Sequence, residues 1–135
     1  MTEPSAPPRP PFDLALSTDL GAHVSVAGGL AGCFERAAEI GAGVAQIFVK
    51  NQRQWAAKPI AAEDAKAFRS AHRASRAGSV VAHATYLVNL ASADPKIEPA
   101  SRACFLAEVL RAGEAGIESL VFHPGAHVGA GEEEG

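Results

Sequence analysis

Val80-Val81-Ala82-His83 is a short apolar stretch that begins two residues after Gly78 and runs directly into Ala84-Thr85-Tyr86-Leu87. Adjacent valines suit a pleated backbone, and the stretch is too short for a buried helix, so it reads as a strand ending on a histidine. Three more stretches of the same kind occur outward from it: Leu20 to Ser25, Val44 to Lys50 and Ser119 to His123. The segments between them change to a helical period. Leu30, Phe34, Ala37 and Ala38 share one face, as do Ala65, Phe68 and His72, and then Ala103, Leu106 and Leu110. Gly41, Gly78 and Gly116 follow the three helices as stop signals. The resulting order is β-α-β-α-β-α-β, and its long crossovers require parallel strands. An open doubly wound sheet and half of an eight-stranded (β/α) barrel both satisfy this α/β pattern. Both place functional groups just beyond the C-terminal ends of strands.

That level of the chain is where the polar residues collect. His23 ends the first strand, Lys50-Asn51-Gln52-Arg53-Gln54-Trp55 follows the second, His83 ends the third, and His123 ends the fourth with His127 four residues on. Neutral imidazole is a common zinc ligand, and neighbouring strands are about 4.7–4.9 Å apart, so His83 and His123 could approach one metal centre. His23, His127 or the terminal glutamates would have to supply further ligands. Trp55 reads as a packing anchor. Tyr86 and Leu87 either fold back on the sheet or stand out as an apolar wedge of the kind that enters a base stack. Gly28-Gly29 reads as a tight turn, because neither G-x-G-x-x-G nor G-x-x-x-x-G-K-[ST] is present, and no G-x-S-x-G elbow occurs.

Composition sets the outer limits. The 135 residues are 47% hydrophobic and 20% charged, as in a globular domain, and no apolar run approaches the ~20 residues of a membrane span. A cytoplasmic location is the expectation. The net charge of −3 is unlike that of a general nucleic-acid binder, yet Lys50, Arg53, Lys58, Lys66, Arg69, Arg73 and Arg76 face only Glu63 and Asp64, a local balance of +5. Cys33 and Cys104 form no C-x-x-C pair and read as small buried side chains. Five prolines between Pro4 and Pro11 lead us to expect a disordered leader over residues 1–18, with the folded unit over residues 19–135.

Four segments resemble endonuclease IV, the second family of apurinic/apyrimidinic endonucleases. Gly21-Ala22-His23-Val24-Ser25-Val26-Ala27-Gly28-Gly29-Leu30 resembles its opening motif, and Lys50 to Trp55 its DNA-contacting loop. His83-Ala84-Thr85-Tyr86-Leu87-Val88-Asn89 resembles its H-x-x-Y-[hydrophobic]-[IV]-N signature, and Phe122-His123-Pro124-Gly125-Ala126-His127 its fourth-strand zinc segment. The resemblance implies the first half of a (β/α)8 TIM barrel with three zinc ions at the full barrel's C-terminal rim. It implies a hydrolase of base excision repair that cuts the phosphodiester 5′ to abasic sites in double-stranded DNA. His83 and His123 correspond to zinc ligands. Arg53, Tyr86 and Leu87 correspond to side chains that enter DNA at the lesion, with Asn51 and Gln52 beside them. His23 and His127 correspond to the rim or its supporting shell, and no catalytic residue beyond the metal ligands is implied.

Two departures carry expectations. Ala84 stands where the family often has a polar residue, which implies a lost contact to the His83 imidazole. The family's later ligands are not in this sequence, and Glu132 to Glu134 read as a loop, not as replacements. Full-length members are expected to be monomers, whereas this chain alone is expected to self-associate and to lack nuclease activity. The rival readings are a sugar isomerase or epimerase on a similar barrel, and a non-enzymatic remnant.

Overall fold

The computed structural model describes residues 20–135, so the expected leader over residues 1–18 lies outside the described residues. The strands fall on the four apolar stretches, three of them trimmed and the third longer by Ser79: β1 Gly21–His23, β2 Val44–Phe48, β3 Ser79–His83 and β4 Ser119–Val121. They are separated by α1 Cys33–Glu39, α2 Ala62–Ala74 and α3 Ile97–Ala115, with a 3-10 turn at Leu30–Gly32 leading into α1. Every pairing is parallel and the order is β1-β2-β3-β4. A doubly wound sheet reverses its order at a switch point. This sheet never does, so right-handed crossovers bring all three helices onto one face, as in a (β/α) barrel.

Alternation along the strands then divides the side chains into two sets. Val24, Ala45, Ile47, Val49, Val80 and Ala82 face the helices and pack with Cys33, Phe34, Ala37, Phe68, Ala112 and Ala115. The opposite parity carries His23, Gln46, Phe48, Val81, His83 and Val121, with Phe48 beside His83 and His83 beside Val121 in register. Gly21 is needed where β1 meets β2, because a Cβ there would lie 2.3 Å from the Val44 carbonyl oxygen.

The first two helices bury much of the expected faces. Phe34 and Ala37 are buried in α1, although Ala38 is exposed and Cys33 takes the inward position. In α2, Ala65 and Phe68 are buried, and His72 stacks on Phe34 with centroids 5.2 Å apart. The third helix corrects the sequence reading. Its inward line is Ser101, Cys104, Glu108, Ala112 and Ala115, while Ala103, Leu106 and Leu110 face outward. The cause is that α3 meets the loop after β3 through polar partners. Ser101 Oγ accepts the Asn89 N–H at 2.9 Å, and Glu108 accepts the Thr85 N–H. A pattern search weighted to apolar residues selects the wrong side of such a helix.

Both cysteines are free and buried. Burial pushes the Cys33 thiol up to about 11 from an ordinary value near 9. The folded state therefore holds its proton more tightly than the unfolded chain, and that stabilisation is lost as pH rises through the interval from about 9 to about 11. At pH 8, Ellman's reagent is expected to leave Cys33 unmodified in the folded chain and to titrate it at once in guanidinium chloride. Rapid labelling of the native protein would contradict the packing described.

Candidate functional site

The C-terminal ends of the strands place their aromatic and imidazole side chains edge to edge. His23 lies 4.4 Å from Phe48 and 5.8 Å from His83, measured between ring centroids. His83 in turn lies 5.3 Å from His123, and Tyr86 sits 5.3 Å from His83 and 5.6 Å from His123. His83 is thus the centre of a row contributed by β1, β3 and the residues after β4. Burial and the neighbouring His83 both lower the pKa of His23, which favours its neutral imidazole.

The His83 ring is oriented by its own backbone. Its Nδ1 lies 2.6 Å from the Ala84 carbonyl oxygen, which can only accept, so Nδ1 carries a proton and the tautomer of the neutral ring is the one with its lone pair on Nε2. The imidazole has a hydrogen-bond partner at residue 84, and the buried Ala84 methyl belongs to the packed interior. His127 has a different setting. Its Nδ1 accepts the N–H groups of Gly129 and Gly131 at 3.1 and 3.2 Å, closing its own loop. Among the described residues no three His, Cys, Asp or Glu side chains form a group able to hold a metal ion.

The loop after β2 presents Asn51, Gln52, Arg53 and Trp55 to solvent. Trp55 is not the packing anchor expected of it, being 38% exposed. Asn51 Oδ1 accepts the Arg53 N–H at 2.9 Å, a local turn that leaves the guanidinium free of protein partners among the described residues. Lys50 differs from the other cations of this region. Its side chain is 2% exposed and its ammonium lies 3.4 Å from Glu108 Oε1, so it contributes nothing to an exposed phosphate-attracting surface. Tyr86 is 63% exposed above the imidazole row, and Leu87 beside it is half-buried.

Sequence reasoning missed the residues that hold these loops. Asn89 Nδ2 donates to the Ala126 carbonyl and Asn89 Oδ1 accepts the Ala126 N–H, both at 3.0 Å, while Pro124 O accepts the Leu90 N–H at 2.8 Å. The loop after β3 is therefore stitched to the one carrying His123. Arg111 Nε donates to the Val49 carbonyl at 2.8 Å, and its Nη1 donates to the Lys58 carbonyl, holding both ends of the loop after β2. For Asn89 the available signal was its place in the H-x-x-Y-[hydrophobic]-[IV]-N segment, whereas Arg111 looks like a solvated charge in a one-dimensional pattern.

Comparison with known proteins agrees with this arrangement. The family model described as "Xylose isomerase-like TIM barrel" matches residues 34–135. "Probable endonuclease 4" of Halorhodospira halophila is 49% identical over 115 residues, covering 85% of this chain and 39% of the relative. The protein of the same name from Chloroflexus aurantiacus is 45% identical, with 85% and 40% covered. The crystal structure of endonuclease IV from Thermus thermophilus superposes with a TM-score of 0.73 at 36% identity, covering 79% of this chain and 40% of that one. The chain thus spans about two-fifths of the length of the curated relatives it matches. With its sequential parallel sheet and the family match over residues 34–135, the chain belongs to the xylose isomerase-like TIM barrel family, and the relatives bear out its resemblance to the N-terminal part of endonuclease IV.

Proposed function

We propose that this chain forms the DNA-engaging part of the rim in a zinc-dependent endonuclease that hydrolyses the phosphodiester 5′ to abasic sites. The supporting observation is the meeting of His83, His123 and Tyr86 beside an exposed loop bearing Asn51, Gln52 and Arg53. The imidazoles suit zinc in kind, and the free Nε2 of His83 is the form a metal accepts, but two such ligands fall short of the roughly three or four that zinc takes. Zinc in such an enzyme would supply a hydroxide nucleophile and neutralise phosphate charge.

The chain's own residues account for recognition. Arg53 meets backbone phosphate. Tyr86 and Leu87 fill the gap left where a base is missing, a site that costs little to open because no stacking or pairing is lost there. Exposed wedge and amide side chains of this kind have no task around a small sugar. No described helix is long and apolar enough to cross a membrane.

Fluorescence anisotropy with a duplex carrying one abasic analogue tests the reading. The chain is expected to prefer it to intact duplex and to leave it uncut with or without zinc. Arg53→Ala should weaken both complexes and reduce the slope of log affinity against log salt by about one. Equal affinity for both duplexes would overturn abasic recognition, and chelator-sensitive cutting would overturn the division of labour. The samples should be sized by sedimentation first, because Leu106, Leu110 and Val121 are exposed apolar side chains that support self-association of the chain.

A further inference from the structure

We propose that Lys50, Thr85 and Glu108 act together as a positioning device that fixes the loops after β2 and β3 relative to each other, so that Arg53 and Tyr86 reach DNA as one surface. This rests on the DNA-binding reading above and adds the residues that make the surface rigid. None of the three is exposed at the rim. They lie beneath it, where α3 passes under both loops.

The device is a closed circuit of hydrogen bonds. Lys50 Nζ donates to the carbonyls of Asn51, at 3.3 Å, and Gln54, which draws the two ends of the loop's turn onto one cation. The cation is held 3.4 Å from Glu108 Oε1, whose side chain is 1% exposed. The same carboxylate accepts the Thr85 N–H through both oxygens, at 3.1 and 3.0 Å. Thr85 then closes the circuit, because its Oγ1 donates to the Gln52 carbonyl at 2.5 Å. Its hydroxyl also accepts the Leu87 N–H at 3.4 Å. A single side chain therefore connects the residue before Arg53 with the residue after Tyr86.

The chemistry explains why an ion pair is used. A buried pair is weak evidence for added stability, since a well-packed apolar pair of similar volume often does as well or better. An apolar pair, however, could neither gather the carbonyls of Asn51 and Gln54 nor accept the Thr85 amide. What the charges supply is geometry, with several hydrogen bonds converging on two atoms.

Two variants separate this role from a merely structural one. Thr85→Val keeps the amide bond to Glu108 and removes only the hydroxyl. Hydrogen exchange of the full 135-residue chain should then show amides 52–55, on the other loop, exchanging faster by about tenfold, the effect of one hydrogen bond. The double variant Lys50→Met with Glu108→Leu should keep a cooperative fold yet bind the abasic duplex about tenfold more weakly, with protection lost in both loops. Unchanged exchange at 52–55 in Thr85→Val, or wild-type affinity in the folded double variant, would overturn the proposal. Failure of the wild-type chain to prefer abasic duplex would instead overturn the functional reading, and the exchange data would still decide whether the loops are coupled.

Discussion

Lys50→Met alone is expected to destabilise the chain by about 3–5 kcal/mol, the usual effect of removing one member of a buried pair and leaving the other charge uncompensated. Against a total stability of about 5–15 kcal/mol for a domain, this brings the fold close to its threshold. The substitution keeps the volume of the stem, so cavity formation does not confuse the result. Burial already raises the Glu108 carboxyl above the ordinary carboxylate range, opposed by the Thr85 amide and by Lys50. Without Lys50 its pKa must rise further. A carboxyl whose folded pKa lies above its unfolded one favours the fold below the unfolded value and loses that contribution as pH rises through the folded value. The deficit of the variant should therefore be largest at pH values above the raised folded pKa of Glu108 and shrink as the solution is acidified through that value, already above the ordinary carboxylate range. Urea unfolding followed by circular dichroism at several pH values tests this. A deficit independent of pH would mean that Glu108 is not the charge left behind.

Gly125→Ala is expected to be the most damaging change outside the core. Gly125 has φ +109°, a conformation that L residues rarely adopt, and an added Cβ would lie 1.9 Å from Asn89 Oδ1 and 2.8 Å from Asn89 Cα. Strain of this kind costs about 1–3 kcal/mol. The overlap cannot be relieved by a side-chain rotation alone, because the Asn89 backbone is one of the atoms struck. The loop carrying His123 must then part from Asn89, giving up two hydrogen bonds to Ala126, each worth about 0.5–1.5 kcal/mol. The readout is a shift in the two-dimensional NMR resonances of His83 and His123 together with a fall in melting temperature. Asn89→Ala, which removes the struck Oδ1 and Cγ but leaves the backbone Cα in place, should rescue Gly125→Ala only in part. A Gly125→Ala chain as stable as wild type would contradict the stitched-loop geometry.

How far the sequence discloses this molecule depends on which kind of pattern each element obeys. Strands β2 and β3 were legible because Val44 to Lys50 and Val80 to His83 combine apolar content with a polar terminus at the level where function collects. The histidine row was legible for the same reason, since residues ending adjacent parallel strands must be neighbours. The direction of α3 was not, because Ser101 and Glu108 face inward to satisfy the amides of Asn89 and Thr85, and that requirement exists only once the loops are folded. Lys50 was counted as part of a basic surface on the same ground. A cation and an anion 58 positions apart announce nothing in sequence, and their pairing at 3.4 Å is a product of tertiary structure. Trp55 was misjudged through its residue type alone, its exposure being set by a loop that α3 holds from below.

The bond from the Thr85 hydroxyl to the Gln52 carbonyl bears on how this rim could be transplanted. A designer wishing to move the Arg53 loop onto another barrel would ordinarily graft residues 51–55 and expect the conformation to follow. Here the conformation is stored elsewhere: in a threonine on the next strand's loop and a glutamate in the middle of the helix after that. The smallest portable unit is therefore two consecutive β-α steps, β2 through α3, and not the loop. Exchanging either loop by itself would leave its partner holding hydrogen-bonding groups with nothing to meet.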